Sequence, residues 1–189
     1  MRVVGGEFRG RPLVAPSSSA TRPTSDRVRE TLFDILIHRY DDPVSDTRVL
    51  DLFAGTGALG IEALSRGAAM CLMVEQAAEA RGAIRRNIEA LGLTGRARIF
   101  RRDATQLGEV GTMAPFGLFF ADPPYGRGLG EAALASAAGG GWLVPGALGV
   151  VEESAQTQAL HLPGFVVLDE RVMGDTKLTF LRWDPTGAV

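Results

Sequence analysis

Phe116-Gly-Leu-Phe-Phe-Ala-Asp-Pro-Pro-Tyr125 decides how the rest of the chain is read. An apolar run of strand length stops at an acid, two prolines and an aromatic ring. Proline has no N–H to give to a central ladder. Asp122-Pro-Pro-Tyr125 is therefore expected at the carboxyl end of a buried strand. In an open α/β sheet that edge is where ligands bind. The tetrapeptide offers a carboxylate acceptor, carbonyls on a rigid backbone and a flat ring, a set suited to a planar substrate carrying an amino group. Asp-Pro-Pro is also a good turn, so a second motif upstream must separate a site from a mere lid on the core.

That motif is present. Arg48-Val-Leu-Asp-Leu-Phe-Ala54 reads as a strand, and Gly55-Thr-Gly-Ala-Leu-Gly60 opens the helix that runs to Arg66-Gly67. A complete G-x-G-x-x-G between strand and helix lets the backbone approach a ligand and points helix-start amides at it. Ala69 to Glu75 is a second apolar strand ending in an acid, and an acid at that distance from the glycine turn can accept both hydroxyls of a ribose. Asp51 discriminates between cofactor classes. A pyrophosphate on the glycine turn would meet its negative charge, whereas S-adenosylmethionine brings a sulfonium and an ammonium.

The pattern then repeats. Gln76 to Leu91 is an amphipathic helix on Ala77, Ala80, Ile84, Ile88 and Leu91, stopped by Gly92. Arg96 to Ala104 is a third strand, with Asp103 near its end. In a doubly wound sheet such strand ends share one rim, so Asp51, Glu75, Asp103 and Asp122 are expected around one crevice. Downstream, Glu131 to Ala138 is a small helix and Ala147 to Glu153 a fifth strand. Gly164 to Met173 and Lys177 to Trp183 form an antiparallel pair about Gly174-Asp175.

At the other end, Val3-Val4 and Phe8 to Val14 read as two short strands around Gly5-Gly6, with Arg9 and Arg11 on one face by alternation. Pro16 to Ala20 is a linker. Arg22-Pro-Thr-Ser-Asp26 offers helix caps before Val28, Leu32, Ile35 and Leu36, which recur at helical spacing until Asp41-Asp-Pro43. Arg27, Arg29 and Glu30 in the first turn are either surface charges or the border of a site. The division expected is a basic arm and linker over 1–20, a catalytic domain over 21–183 and a frayed tail over 184–189.

Composition narrows the setting. The 189 residues suit one domain with a small appendage. Cys71 is the only cysteine and lies in an apolar run, so a reducing, cytoplasmic environment without disulfides is expected, and no Cys/His cluster offers a metal site. The opening residues are too polar for a signal peptide, and no apolar run has membrane-spanning length. Net charge is only −2, yet residues 1–25 carry four arginines against Glu7, a balance of +3 that leaves −5 elsewhere. A basic arm on an acidic body is a local footprint for phosphate.

Asp51-Leu-Phe-Ala-Gly-Thr-Gly57, Glu75, Asp103 and Asp122-Pro-Pro-Tyr125 together resemble the class I S-adenosylmethionine-dependent methyltransferases that act on exocyclic amino nitrogens. The segments Met1 to Leu13 and Arg22 to Phe33 are similar to those of bacterial small-subunit (16S) ribosomal RNA guanine-N2 methyltransferases of the RsmD type. The resemblance covers nearly all the chain. It implies a Rossmann-like seven-stranded sheet with a reversed last strand, and a monomer acting on ribosomal RNA, within an assembling small subunit. It implies a catalytic set Asp122, Pro123, Pro124 and Tyr125. The implied S-adenosylmethionine site comprises Asp51, Phe53, Gly55, Thr56, Gly57, Glu75, Gln76, Asp103, Ala104 and Asp122, with Arg22 to Phe33 closing over its methionine end. RNA contacts are assigned to Arg2, Arg9, Arg11, Arg22 and Lys177. The family often has a tyrosine before the glycine of its terminal turn, where this chain has Met173.

Other readings share part of the pattern. Asp-Pro-Pro-Tyr does not distinguish guanine N2 from adenine N6 in DNA or RNA. A non-catalytic RNA-binding or ribosome-assembly module would keep the fold without the chemistry. A nicotinamide-dependent oxidoreductase is disfavoured by Asp51 and by the lack of a substrate domain.

Overall fold

The structure, a computed structural model, describes residues 1–16 and 25–187. Its strands are β1 Arg48–Leu52, β2 Met70–Val74, β3 Ala97–Phe100, β4 Phe116–Ala121, β5 Leu143–Ser154, β6 Phe165–Met173 and β7 Thr176–Trp183. They form one seven-stranded sheet in the order β3-β2-β1-β4-β5-β7-β6. The pairs from β3 to β5 are parallel, while β7 runs antiparallel to both β5 and β6, which is the reversed last strand.

β1, β2 and β4 are near-continuous apolar runs because both faces of the sheet are covered. Alternate residues serve opposite layers. Phe120, Val150 and Phe180 pack with the helices α1 (Asp26–Arg39), α2 (Ala58–Ser65) and α3 (Ala78–Ala90). Phe119, Val151 and Leu181 pack with α4 (Leu129–Gly139) and Trp142. β5 begins at Leu143 rather than Ala147, since Leu143 pairs with Phe116 before a bulge moves the register to Leu148 opposite Leu118.

α1 starts where Ser25 Oγ accepts the Val28 amide at 3.2 Å. Leu32, Phe33 and Leu36 bury completely or nearly so, at about 2 kcal/mol each relative to exposure. That outweighs its exposed ion pairs, such as Arg39 with Asp169, worth at most about 1 kcal/mol. Arg29 corrects the sequence expectation of a surface or site-border charge. It is 0% exposed, pairs with buried Glu62 at 3.6 Å and with Asp26 at 2.9 Å, and donates to the Arg2 carbonyl.

The amino-terminal segment also differs from the expected two-stranded hairpin. No strand is formed among its described residues; its two limbs meet at one isolated bridge, Arg2 with Pro12. They are joined by backbone bonds from the Val3 N–H to the Arg11 carbonyl at 2.9 Å, the Gly10 N–H to the Val3 carbonyl at 2.8 Å and the Leu13 N–H to the Met1 carbonyl at 3.1 Å. Three further amides are given to α2. Val4 N–H donates to Glu62 Oε2 at 2.9 Å, Glu7 N–H to the Ser65 carbonyl at 2.7 Å and Phe8 N–H to Ser65 Oγ at 2.9 Å. Val3 and Leu13 enter the core beneath. The arm is thus a hairpin-shaped loop fixed to the body rather than a free ribbon.

Candidate active site

Chain connections diverge between β1 and β4, and a crevice of about 350 Å³ opens beyond their carboxyl ends. Its walls include Phe53, Gly55, Glu75, Gln76, Asp103, Ala104, Asp122 and Pro124. Phe53, at φ 63°, holds a left-handed conformation that side-chain-bearing residues seldom adopt, as backbone at ligand sites often does. The turn after it is clamped from β2: the Ala54 amide donates to the Val74 carbonyl at 3.0 Å and the Gly55 amide to Glu75 Oε2 at 2.8 Å. Glu75 Oε1 accepts the Ala77 amide at 2.7 Å, so both its oxygens are oriented. Asp103 accepts from the hydroxyl and amide of Thr105 at 2.7 and 2.9 Å. Those bonds hold its carboxyl below the usual range, ionised at neutral pH.

Gly57 and Gly60 serve the crevice from behind. Gly57 starts α2 at φ 78°. A Cβ on Gly60 would lie 2.7 Å from Cys71 Sγ and 3.1 Å from Asp51 Oδ2, so only glycine lets α2 start this close to β1 and β2. Asp51 is not in the crevice wall, which corrects the expectation of four acids around one opening. It points into the α2 layer, 1% exposed, and its Oδ2 accepts the Gly60 amide at 3.0 Å. Burial pushes its carboxyl up to about 7, and nearby Glu75 adds to the shift. Its Oδ1 has no hydrogen-bond partner among the described residues. Thr56 is likewise behind the wall, its carbonyl accepting from Asn87 at 3.1 Å.

The donor set suits a cationic nucleoside. Glu75 and Asp103 are fixed acceptors inside the walls, while Arg102 and Arg127 stand exposed at the rim. A pyrophosphate in the crevice would be repelled by those carboxylates, whereas a ribose diol, an adenine amine and a sulfonium would be accepted by them.

A second cavity, of about 530 Å³, lies on the other side of the tetrapeptide. Ser25, Arg27 and Val28 of the α1 start, Tyr125, Glu152 at the end of β5, and Val172 to Thr176 of the β6–β7 turn line it. Met173 is among those walls, where the family often has an aromatic ring. Tyr125 is 39% exposed and donates its hydroxyl to Glu152 Oε1 at 3.0 Å. Burial, with the charges of Glu152 and Asp122, pushes the phenol up to about 12, so it stays neutral. Asp122 and Pro124 therefore face one cavity and Tyr125 the other, while Pro123 is buried between them.

The residues expected to contact RNA separate. Arg2 and Arg9 share a third cavity, of about 360 Å³, with Arg27, Asp26 and Glu30. Arg11 does not share it and donates to the Ala90 carbonyl at the end of α3, because the loop turns at Gly6 and Gly10 and breaks the expected alternation. Arg22 lies outside the described residues. Lys177 turns inward, which corrects its assignment as an RNA contact. It is 7% exposed, bonds the carbonyls of Thr157 and Gln158 at 2.8 and 3.3 Å, and pairs with Glu170 at 3.3 Å. Glu152 is absent from the site residues expected from sequence, where Arg27 stands only as a surface charge or the border of a site. The signal for Glu152 was available, since Val150-Val-Glu152 is another apolar strand ending in an acid.

A seven-stranded sheet with this strand order and reversed last strand, with a glycine turn, an acid after β2 and Asp-Pro-Pro-Tyr on one rim, defines a class I S-adenosylmethionine-dependent methyltransferase. The chain belongs to the family described as Conserved hypothetical protein 95, whose model matches residues 1–182. It is 41% identical over 164 residues to ribosomal RNA small subunit methyltransferase D of Escherichia coli K12, covering 86% of this chain and 79% of the relative. The solved structure of yhhF from Escherichia coli superposes with a TM-score of 0.83 at 34% identity, over 98% of this chain and 99% of that one. A likeness of fold alone extends to a Thermus thermophilus 16S rRNA N2 G1207 methyltransferase, at 22% identity and TM-score 0.63, over 88% of this chain and 44% of that one.

Proposed function

We propose that this chain transfers a methyl group from S-adenosylmethionine to the exocyclic N2 of a guanine in small-subunit (16S) ribosomal RNA. The observation that carries the proposal is the placement of Asp122-Pro-Pro-Tyr125 between the two cavities, with its acid toward one and its ring toward the other. The name of the Escherichia coli relative supports ribosomal RNA as the substrate class.

In the crevice, Glu75 would hold the ribose, with Asp103 and Ala104 at the adenine edge, and S-adenosylmethionine supplies an electrophilic methyl on sulfur. A guanine amino nitrogen is a poor nucleophile because its lone pair is delocalised into the ring. Asp122 and the Pro123 carbonyl would accept its two hydrogens, aim the nitrogen at the methyl and favour a more pyramidal geometry. Tyr125 would stack on the extruded base, whose unstacking costs a few kcal/mol, less in an unpaired loop. Positioning of this kind is worth roughly 7–11 kcal/mol, so no strong base is needed before transfer. Asp122 would take the proton as the nitrogen–methyl bond forms and the sulfur–methyl bond breaks, its electron pair staying on sulfur to leave the neutral thioether. Arg2 and Arg9 would hold phosphates beside the base cavity, with Arg11 further along the arm.

On this reading residues 1–20 are the RNA-contacting arm and linker, 21–183 the methyltransferase domain and 184–189 a tail. The protein would work as a monomer on the assembling small subunit in the cytoplasm. Among the described residues no helix is long and apolar enough to cross a membrane. The test is transfer from labelled S-adenosylmethionine to small subunits lacking native modification, with naked ribosomal RNA and duplex DNA in parallel, followed by nucleoside analysis. N2-methylguanosine from the ribosomal substrate is expected. Label in N6-methyladenine, or no transfer despite cofactor binding, would overturn the proposal.

A further inference from the structure

Resting on guanine N2 as the acceptor, we propose that Glu152 is the specificity-determining residue that reads the N1–H of the target base, so that the site takes guanine and rejects adenine and cytosine. Three observations place it there. Glu152 is 5% exposed, yet it lines the 530 Å³ cavity beside Tyr125. Val151 pairs with Ala121 in the parallel β4–β5 ladder, so Glu152 follows at the level where Asp122 follows on the neighbouring strand, about 4.8 Å away. Phe120 and Val150 belong to the layer under α1, and by alternation Asp122 and Glu152 leave the sheet on that same side. Two carboxylates thus stand side by side, one toward the crevice and one in the base cavity. Tyr125 fixes the second through its hydroxyl at 3.0 Å.

Guanine presents two adjacent donors on its Watson–Crick edge, N1–H and the N2 amine. An ionised carboxylate only accepts, and it can accept at both oxygens. With the amine on Asp122 and the Pro123 carbonyl, N1–H would meet Glu152. Adenine and cytosine place an unprotonated ring nitrogen next to their amine, so the same pose would set a lone pair against the Glu152 carboxylate. A buried site built to hydrogen-bond one edge rejects an edge lacking the donor far more strongly than apolar shape alone can.

The experiment compares a small-subunit substrate carrying guanine at the mapped target with one carrying 2-aminopurine there. That base keeps the C2 amine but has no hydrogen on N1. Wild type should prefer guanine in kcat/KM by at least about 100-fold. In Glu152→Gln the side-chain amide can donate to N1, and the preference should fall at least about 10-fold or invert. Glu152→Ala should bring the ratio toward one. Tyr125→Phe, which removes the bond to Glu152 but leaves the carboxylate, should slow both substrates while guanine stays preferred. Retained affinity for S-adenosylmethionine verifies that each variant is folded. If Glu152→Gln and Glu152→Ala slow both substrates in the same proportion, Glu152 only props Tyr125 and the inference is overturned. A wild type that does not discriminate overturns it too. A wild type that leaves guanine N2 unmethylated refutes the proposed function itself, before any ratio is measured.

Discussion

The crevice and the base cavity share one tetrapeptide and are built in opposite ways. The crevice is assembled from three strand ends, each carrying its own local motif: the glycine turn after β1, Glu75 after β2 and Asp103 after β3. Its oriented carboxylates are bonded to amides of the same turns. The base cavity draws on the start of α1, the residue after Pro124, the end of β5 and the β6–β7 turn, segments far apart in the chain. The difference teaches that one cavity can be written in short local motifs at successive strand ends, whereas the other is written in which strands become neighbours.

Breaking the boundary between the two regions should have the largest effect. Asp122→Ala is expected to lower single-turnover methyl transfer by at least about 10³-fold, since orientation of the amine is lost, while S-adenosylmethionine affinity by calorimetry changes by less than about 10-fold. Near-normal turnover in that variant would remove Asp122 from the chemistry. Next comes the crevice alone. Glu75→Ala should weaken S-adenosylmethionine binding by roughly 10–100-fold, because it also strips the Gly55 and Ala77 amides of their acceptor. Turnover at saturating S-adenosylmethionine should move only a few-fold. Equal losses in both parameters would show that the two regions are not separable.

The substrate side is sharpened by salt. Arg2→Ala with Arg9→Ala should weaken RNA binding and reduce the slope of log affinity against log salt by about 1.5, each phosphate contact contributing about 0.7–0.9. An unchanged slope would place the RNA elsewhere. Arg11→Ala, whose guanidinium already bonds Ala90, should change the slope less.

Asp51 has the smallest expected effect on catalysis and a distinct one on stability. Its carboxyl is raised from 3.8 to about 7, so between those values the folded chain keeps a proton that the unfolded chain has released. Stability from this group therefore falls as pH rises through that window, and is level above it. Asp51→Asn cannot titrate, and relative to wild type it should gain on the order of 2 kcal/mol between pH 5 and pH 8 in denaturant unfolding. A pH-independent difference would mean the carboxyl ionises normally in its buried site. Tyr125, held up at about 12, predicts the converse for the base cavity: the methyl-transfer rate should show no loss from phenol ionisation up to pH 10.

Much of the molecule was legible before its coordinates. Apolar runs ending in acids located β1, β2, β3 and β4, the glycine turn located α2, and period-two and period-3.6 patterns separated strands from helices, since each is a local property of backbone and side-chain geometry. Glu75, Asp103 and Asp122 were placed by the same logic and Phe53, Gln76 and Ala104 by the family resemblance, and the fold brings all six to one crevice. Burial and pairing were not local. Arg29 and Lys177 are charges whose spacing reads as surface, and only the packing of α2 against the arm and of the 154–158 loop against β7 buries them beside partners distant in sequence. Arg9 and Arg11 alternate as a strand would, but the arm turns at Gly6 and again at Gly10 between them, while Glu62 and Ser65 of α2 hold the Val4, Glu7 and Phe8 amides. The sequence by itself determined the sheet and the rim along which the crevice acids lie. Tertiary structure alone decided that Glu152, Tyr125 and the β6–β7 turn face one another, because β7 inserts antiparallel between β5 and β6 and no local pattern encodes which strands become neighbours.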